Sequence, residues 1–131
     1  MSDIMFACVH NAGRSQMAAA FFNKHKTQDG VKGISAGTNP ASEVHSVVRS
    51  IMLEKDVDLT NITPVKLTPE LAKTCSTIIT MGCGETCPYV PGVTIIDWKI
   101  TDPKDKSQDD ARKIRDEIET KIKVFIAENN Y

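Results

Sequence analysis

The chain has 131 residues, the length of one domain, enough to bury a core without disulfide or metal staples. Lysine plus arginine, 16, balances aspartate plus glutamate, 17, which argues against a nucleic-acid coat or a polybasic membrane patch. Aromatic residues are only 5%, too few for a base-stacking platform, and no apolar run approaches the ~20 residues of a membrane span.

The chain starts MSDIMFACVH, without the basic opening and long apolar stretch of a signal peptide, so a cytosolic location is expected. In a reducing compartment the four cysteines, Cys8, Cys75, Cys83 and Cys87, are expected to be catalytic, redox-active or metal-binding rather than structural disulfides. Residues 3–8 (DIMFAC) are a short apolar run bounded by polar residues, which predicts a buried strand. Residues 15–28 predict a helix with an apolar face at Met17, Ala18, Phe21, Phe22 and His25, and Ser15 is placed to cap its start. A second strand is predicted over 31–36, ended by Gly37. A helix follows over 43–55, with Val44, Val47, Val48, Ile51 and Met52 on one face. Pro69 suits the first turn of a short helix reaching about Thr74. The β-branched run 76–81 (STIITM) predicts a buried strand, 82–92 a loop, and 93–98 (VTIIDW) a last strand. The final helix is predicted over 107–128, striped by Ile114, Ile118, Ile122, Phe125 and Ile126, with Ser107 and Asp110 forming its N-cap. This alternation predicts an α/β fold, a parallel sheet with helices on both faces. Such sheets bind ligands at the carboxyl ends of their strands, which directs attention to residues 8–14, 82–87 and 97–102.

The segment Cys8-Val9-His10-Asn11-Ala12-Gly13-Arg14-Ser15 runs from the first strand straight into the first helix. A thiol at the strand end then sits under a loop whose backbone N–H groups can all turn inward. Gly13 permits a tight path, and the helix N-terminus adds about half a positive charge. Arg14 supplies a planar, two-pronged donor for a tetrahedral oxyanion. The same field favours a thiolate at Cys8, and Ser15 can hydrogen-bond it. Asn11 is placed to brace the loop by side-chain bonds to its own backbone. A lone cysteine ending a strand is more often a packing residue. The Cys-x5-Arg-Ser spacing at a strand-to-helix junction reverses that reading.

Cys8-x5-Arg14-Ser15, together with Ser35-Ala36-Gly37 and with Trp98 followed by Asp102-Pro103, resembles the low-molecular-weight protein tyrosine phosphatase superfamily. Within it, the chain is similar to the arsenate reductases built on the same fold. The likeness covers nearly the whole chain. It implies a single α/β domain over 1–131, with a four-stranded parallel sheet flanked by helices. It also implies that Cys8 is the nucleophile, that Arg14 binds the oxyanion and that Asp102 is the general acid. Asp102-Pro103 alone would read as a turn starter. A carboxyl on a loop over the anion site can also protonate a leaving oxygen. Asp97 and Asp105 are weaker candidates for that task.

Residues 81–88, Met-Gly-Cys-Gly-Glu-Thr-Cys-Pro, put Cys83 and Cys87 in a glycine-flanked loop expected at the same sheet edge as Cys8. Simple phosphoryl transfer has no use for them. Reducing arsenate to arsenite takes two electrons, which thiols supply. An arseno-thiol on Cys8 can be attacked by a second thiol, which expels arsenite and leaves a disulfide. The expected activity is therefore arsenate reduction through a Cys83/Cys87 relay. The alternative on the same Cys8 and Asp102 chemistry is a protein tyrosine phosphatase. Zinc ligation completed by His10 or Cys8 fits the Cys-x3-Cys spacing poorly, with no second pair, so no metal is expected. Cys83 and Cys87 could also be packing cysteines, though their polar, glycine-rich loop argues against burial; Cys75 suits that role better.

The Gly-Cys-Gly-x-x-Cys-Pro loop looks more like actinobacterial and archaeal members than staphylococcal ones, whose second and third cysteines lie further apart. Gly13 replaces the second cysteine that the phosphatases usually carry before the loop arginine. The resemblance leaves the external reductant open between thioredoxin and a small-thiol or glutaredoxin-type system such as mycothiol, with no bound cofactor. Ala19 stands where the staphylococcal group has a glutamate, so no bound potassium is expected. His10 is read as facing solvent, His25 and His45 as ordinary helix residues, and the charged run from Lys104 to Glu119 as a solvated helix face.

Overall fold

The computed structural model describes residues 3–82 and 90–131. In chain order the elements are β1 (Asp3–Cys8), α1 (Arg14–His25), β2 (Gly33–Gly37), α2 (Ser46–Leu53), α3 (Pro69–Ala72), β3 (Cys75–Thr80), β4 (Thr94–Asp97) and α4 (Gln108–Asn129). The strands form one parallel sheet in the order β2-β1-β3-β4. Alternation along β1 divides its side chains between two cores. Ile4, Phe6 and Cys8 pack toward α1, α2 and α4. Met5 and Ala7 join Ala36, Leu67, Ala72 and Ile78 on the other face. Burial on both faces is why β1 reads as an unbroken apolar run. The stripe of the last helix is buried as expected, from Ile114 to Ile126.

Parallel pairing brings the strand ends level. Cys8 lies opposite Gly37, Ala7 opposite Thr80, and Thr80 opposite Asp97. The segments that follow β1, β3 and β4 therefore leave along one edge.

Several boundaries differ from the sequence reading, each for a local reason. The first helix stops at His25 rather than residue 28, because Lys26 turns extended and the amides of Thr27 and Gln28 donate to the Tyr131 carbonyl at 2.7 and 2.8 Å. Its N-cap is Gly13, with no side-chain cap bond, so Ser15 lies inside the helix and does not cap it. The second strand begins at Gly33, whose N–H and C=O both pair with the Asn23 side-chain amide. The second helix starts only at Ser46, since His45 is extended there and its N–H donates to the Ala12 carbonyl at 3.0 Å. Cys75 opens β3 rather than closing the short helix before it; it is buried, and burial pushes its thiol up. Pro69 stands in the first turn of its short helix and Ser107 caps the last helix, as expected; Thr68, which the sequence reading did not single out, is also a cap, and both side chains accept from the amides three residues on.

The charged run of the last helix is more than a solvated face. Arg115 is buried and donates to the Ile51 carbonyl and to Glu54, and Arg112 holds the same carboxylate through Nε and Nη2. Likewise His25 is no plain helix residue, since its Nε2 meets Glu119 at 2.9 Å. Glu54 thus pins α2 to α4, and the hydrogen bonds from Arg112 and Arg115 hold its carboxyl down from 4.5 to about 2. A carboxyl depressed by folding stabilises the native state above its unfolded value, and that contribution is lost as pH falls through the folded value. Glu54→Gln should therefore lower the melting temperature at neutral pH, and the gap to wild type should close between pH 4.5 and about 2; a calorimetric pH series checks it.

Candidate active site

The loop after β1 is tied down through its carbonyls. Those of Cys8, Val9, His10 and Ala12 accept from the amides of Thr38, Asn39, Ala41 and His45 at 2.8–3.2 Å. Among the described residues, no group accepts a hydrogen bond from the amides of Val9 through Ser15. With the carbonyls bound outward, these donors form a concave nest of the kind that holds tetrahedral anions, and α1 adds its N-terminal dipole. Gly37 makes the close approach possible: a β-carbon there would stand 2.6 Å from the Val9 carbonyl oxygen.

Asn11 braces this loop by a different route from the one expected. It is fully buried, with φ +51°, a left-handed conformation that asparagine tolerates. Its Oδ1 accepts from the Val65 amide at 2.8 Å and from Gln16 Nε2 at 3.0 Å. Because a backbone N–H fixes that oxygen, Nδ2 is turned to donate to Ser15 Oγ at 2.7 Å. The Ser15 hydroxyl proton is then left for Cys8 Sγ, 2.9 Å away. The chain of donors ends on the thiol, which is 2% exposed at the floor of the nest.

Arg14 crosses to the far side of the edge. Its Nη1 donates to the Ile100 carbonyl at 3.1 Å, and Nη2 lies 3.5 Å from Asp102 Oδ2. The guanidinium occupies the place where a Gly82 β-carbon would stand, and Gly82 has φ +89°, so glycine is required there twice over. The Asp102 side chain is 42% exposed, and its Oδ1 accepts from the Lys104 amide at 3.0 Å. Asp102-Pro103 starts a turn, and that turn lies against Arg14 and Gly13 at the nest. Pro103 packs on Gly13, where an added β-carbon would come within 3.1 Å of its ring. This packing favours glycine there in addition to the backbone path. His10 does not simply face solvent, since its Nδ1 donates to the Asn39 carbonyl at 3.1 Å.

The nest, the thiol and Arg14 come from the single segment 8–15, and the turn after β4 brings Asp102 to them. Cys83 and Cys87 lie outside the described residues; the chain enters that segment at Gly82, against Arg14. Asp97 is spoken for by Thr80, whose hydroxyl donates to it at 2.8 Å. Among the described residues, no three His, Cys, Asp or Glu side chains group to hold a metal ion, and no helix is long and apolar enough to cross a membrane. Sequence reasoning missed Gln16, Val65, Ile100 and His45. Of these only Gln16 sits beside the motif, and nothing local marks the others.

Fold and site define an α/β thiol enzyme built to hold a tetrahedral oxyanion over a cysteine. The model of the low molecular weight phosphotyrosine protein phosphatase family matches residues 3–130, and the chain belongs to that family. It is 36% identical over 121 residues to a Halobacterium salinarum protein assigned as an arsenate reductase, covering 89% of this chain and 85% of that one. A glutaredoxin arsenate reductase of Synechocystis is 28% identical, covering 97% and 98% of the two chains. The thioredoxin-dependent arsenate reductase of Corynebacterium glutamicum superposes with a TM-score of 0.83 at 36% identity, over 98% of this chain. This chain spans 61% of the length of that protein.

Asn11→Ala should strand the Val65 amide, Gln16 and Ser15 at once, costing about 2–4 kcal/mol of stability in urea unfolding. Ser15→Ala keeps the fold but removes the donor to Cys8, and should slow alkylation of that thiol by iodoacetamide about tenfold at neutral pH.

Proposed function

We propose that the chain is an arsenate reductase working through an arseno-thiol on Cys8. The junction at Gly82 supports this reading most directly, because the backbone leading into Cys83 and Cys87 abuts the guanidinium suited to hold the oxyanion. Arsenate is held by the amides of residues 9–15 and by Arg14, which exchanges its contact with exposed Asp102 for the anion while keeping the Ile100 carbonyl. The Cys8 thiolate attacks arsenic, Asp102 protonates the departing oxygen, and water leaves. The arsenic remains pentavalent at this stage.

Cys83 then attacks Cys8 Sγ. The S–S bond forms, the S–As bond breaks, and its electron pair stays on arsenic, which departs as trivalent arsenite. Cys87 attacks Cys83 and frees the Cys8 thiolate. A dithiol donor, thioredoxin or a glutaredoxin-type system, returns two electrons and two protons to the Cys83–Cys87 disulfide. The Corynebacterium relative is thioredoxin-dependent and the Synechocystis relative is a glutaredoxin arsenate reductase, which favours a protein dithiol over a free small thiol. No resident cofactor is needed, and a reducing cytosol suits the free thiols.

In an arsenate-dependent NADPH assay coupled to thioredoxin and its reductase, Cys8→Ser should abolish turnover. Cys87→Ala should release a single equivalent of arsenite per enzyme and then stall as a Cys8–Cys83 disulfide. Sustained thioredoxin-coupled turnover in both Cys83→Ser and Cys87→Ala refutes the relay. Asp102→Asn should lower kcat about 10²- to 10⁴-fold with Cys8 alkylation unchanged.

A further inference from the structure

His45 lies at a junction that the steps above do not use. Its N–H donates to the Ala12 carbonyl at 3.0 Å, so the start of α2 is bonded to the anion nest. Its ring carbon Cδ2 stands 3.6 Å from the point where a Gly13 β-carbon would be, and Pro103 stands 3.1 Å from that same point. Gly13 is therefore the place where the nest, the imidazole and the Asp102-Pro103 turn meet. On the outer side, a cleft of about 290 Å³ is lined by His45, Ser46, Val47, Lys104, Asp105 and Lys106.

We propose that His45 is a positioning residue for Asp102: the imidazole, meeting Pro103 around Gly13, props the Asp102-Pro103 turn over Cys8. The proposal rests on Asp102 acting as the acid. Half-burial of the ring drives its proton off and holds it below the ordinary 6.5. The charges facing it act in both directions. Asp102 and Asp105 from the turn favour the imidazolium, whereas Lys104 from the same turn and His10 from the nest oppose it. On its own segment, Glu43 and Arg49 pair with each other at 3.8 Å. A proton on His45 places a cation beside the carboxyl that has to carry a proton of its own, and the two protonations oppose each other. A neutral ring removes that conflict at working pH.

Two variants separate prop from charge. His45→Ala removes both and should lower kcat for arsenate about tenfold while leaving KM within about twofold, the signature of a displaced acid rather than a lost anion contact. His45→Gln keeps bulk without a titrating group. It should recover most of that loss, and its kcat–pH profile should lack the fall-off below pH 6.5 that wild type shows as the imidazole protonates. Wild-type kcat and an unchanged profile in His45→Ala overturn the proposal.

The pairing is also read without catalysis. In a proton NMR titration, with the His45 signal assigned from His45→Gln, Asp102→Asn should lower the midpoint further, because the carboxylate pull is gone. An unmoved midpoint overturns the proposal whatever the activity. A moved midpoint in an enzyme that never turns over arsenate supports the pairing and overturns the proposed reaction instead.

Discussion

The side-chain amide of Asn11 is the constraint on which the site depends. It is fully buried and meets three partners, the Val65 amide from a distant loop and Gln16 and Ser15 from the first turn of α1. In a low-dielectric interior each of those groups would cost free energy if left alone, so the amide has one acceptable orientation. That orientation fixes the Ser15 hydroxyl and, through it, the side of Cys8 that receives a hydrogen bond. The left-handed backbone at Asn11 also bends the chain so that neighbouring carbonyls turn out toward residues 38–45. Donors left facing inward need no rearrangement when an anion arrives, which is where electrostatic catalysis gains most.

The floor and the wall of the site are built differently. The floor is a strand end and a helix start, locked by buried bonds and by close contact with Gly37. The wall is the turn at Asp102, held by the Lys104 and Lys106 amides on Asp102 Oδ1 and the Pro103 carbonyl, an ion pair at 3.5 Å and packing of Pro103 on Gly13. A surface ion pair of this length contributes little to stability. Arg14 can therefore exchange its carboxylate for an incoming oxyanion at small cost, while the Ile100 carbonyl keeps the guanidinium aimed. Rigid donors below and a loosely held carboxyl above suit the proton delivery proposed for Asp102.

Elements were legible in the sequence where one local pattern decided them. The strand-to-helix junction at Cys8–Ser15, the stripe from Ile114 to Ile126, the place of Pro69 in a first turn and the cap at Ser107 all follow from residues within a few positions of one another. The parallel sheet followed from alternation, and its register then delivered the common edge. The errors fell where a distant partner intervened. The first helix was shortened by the Tyr131 carbonyl about a hundred residues away, and the second was delayed by Ala12. Asn11 was rightly singled out, but its partner Val65 lies 54 positions on, and Ile100 lies 86 from Arg14. No composition or period marks such pairs. His45 shows the same limit, since a histidine before an apolar helix carries no sign of the loop it will touch.

The cradle itself is indifferent to the element at the centre of the oxyanion. Phosphate and arsenate present the same tetrahedron to the same amides and the same arginine, and a thiolate with an acid opposite suits both. The difference arises after the first displacement. Pentavalent phosphorus bonded to sulfur is not reduced by a second thiol, so its adduct waits for water. Pentavalent arsenic accepts the electron pair of the breaking S–As bond, so its adduct can be cleared by attack on sulfur. That attack requires a thiol delivered in line with the S–As bond, on the side of the Cys8 sulfur opposite arsenic. The segment entered at Gly82 leaves from beside Arg14, and it carries the only two cysteines besides Cys8 and the buried Cys75. A phosphatase would gain nothing from two cysteines in that segment. Two cysteines in the segment that follows Gly82 suit the redox chemistry proposed on the bound anion.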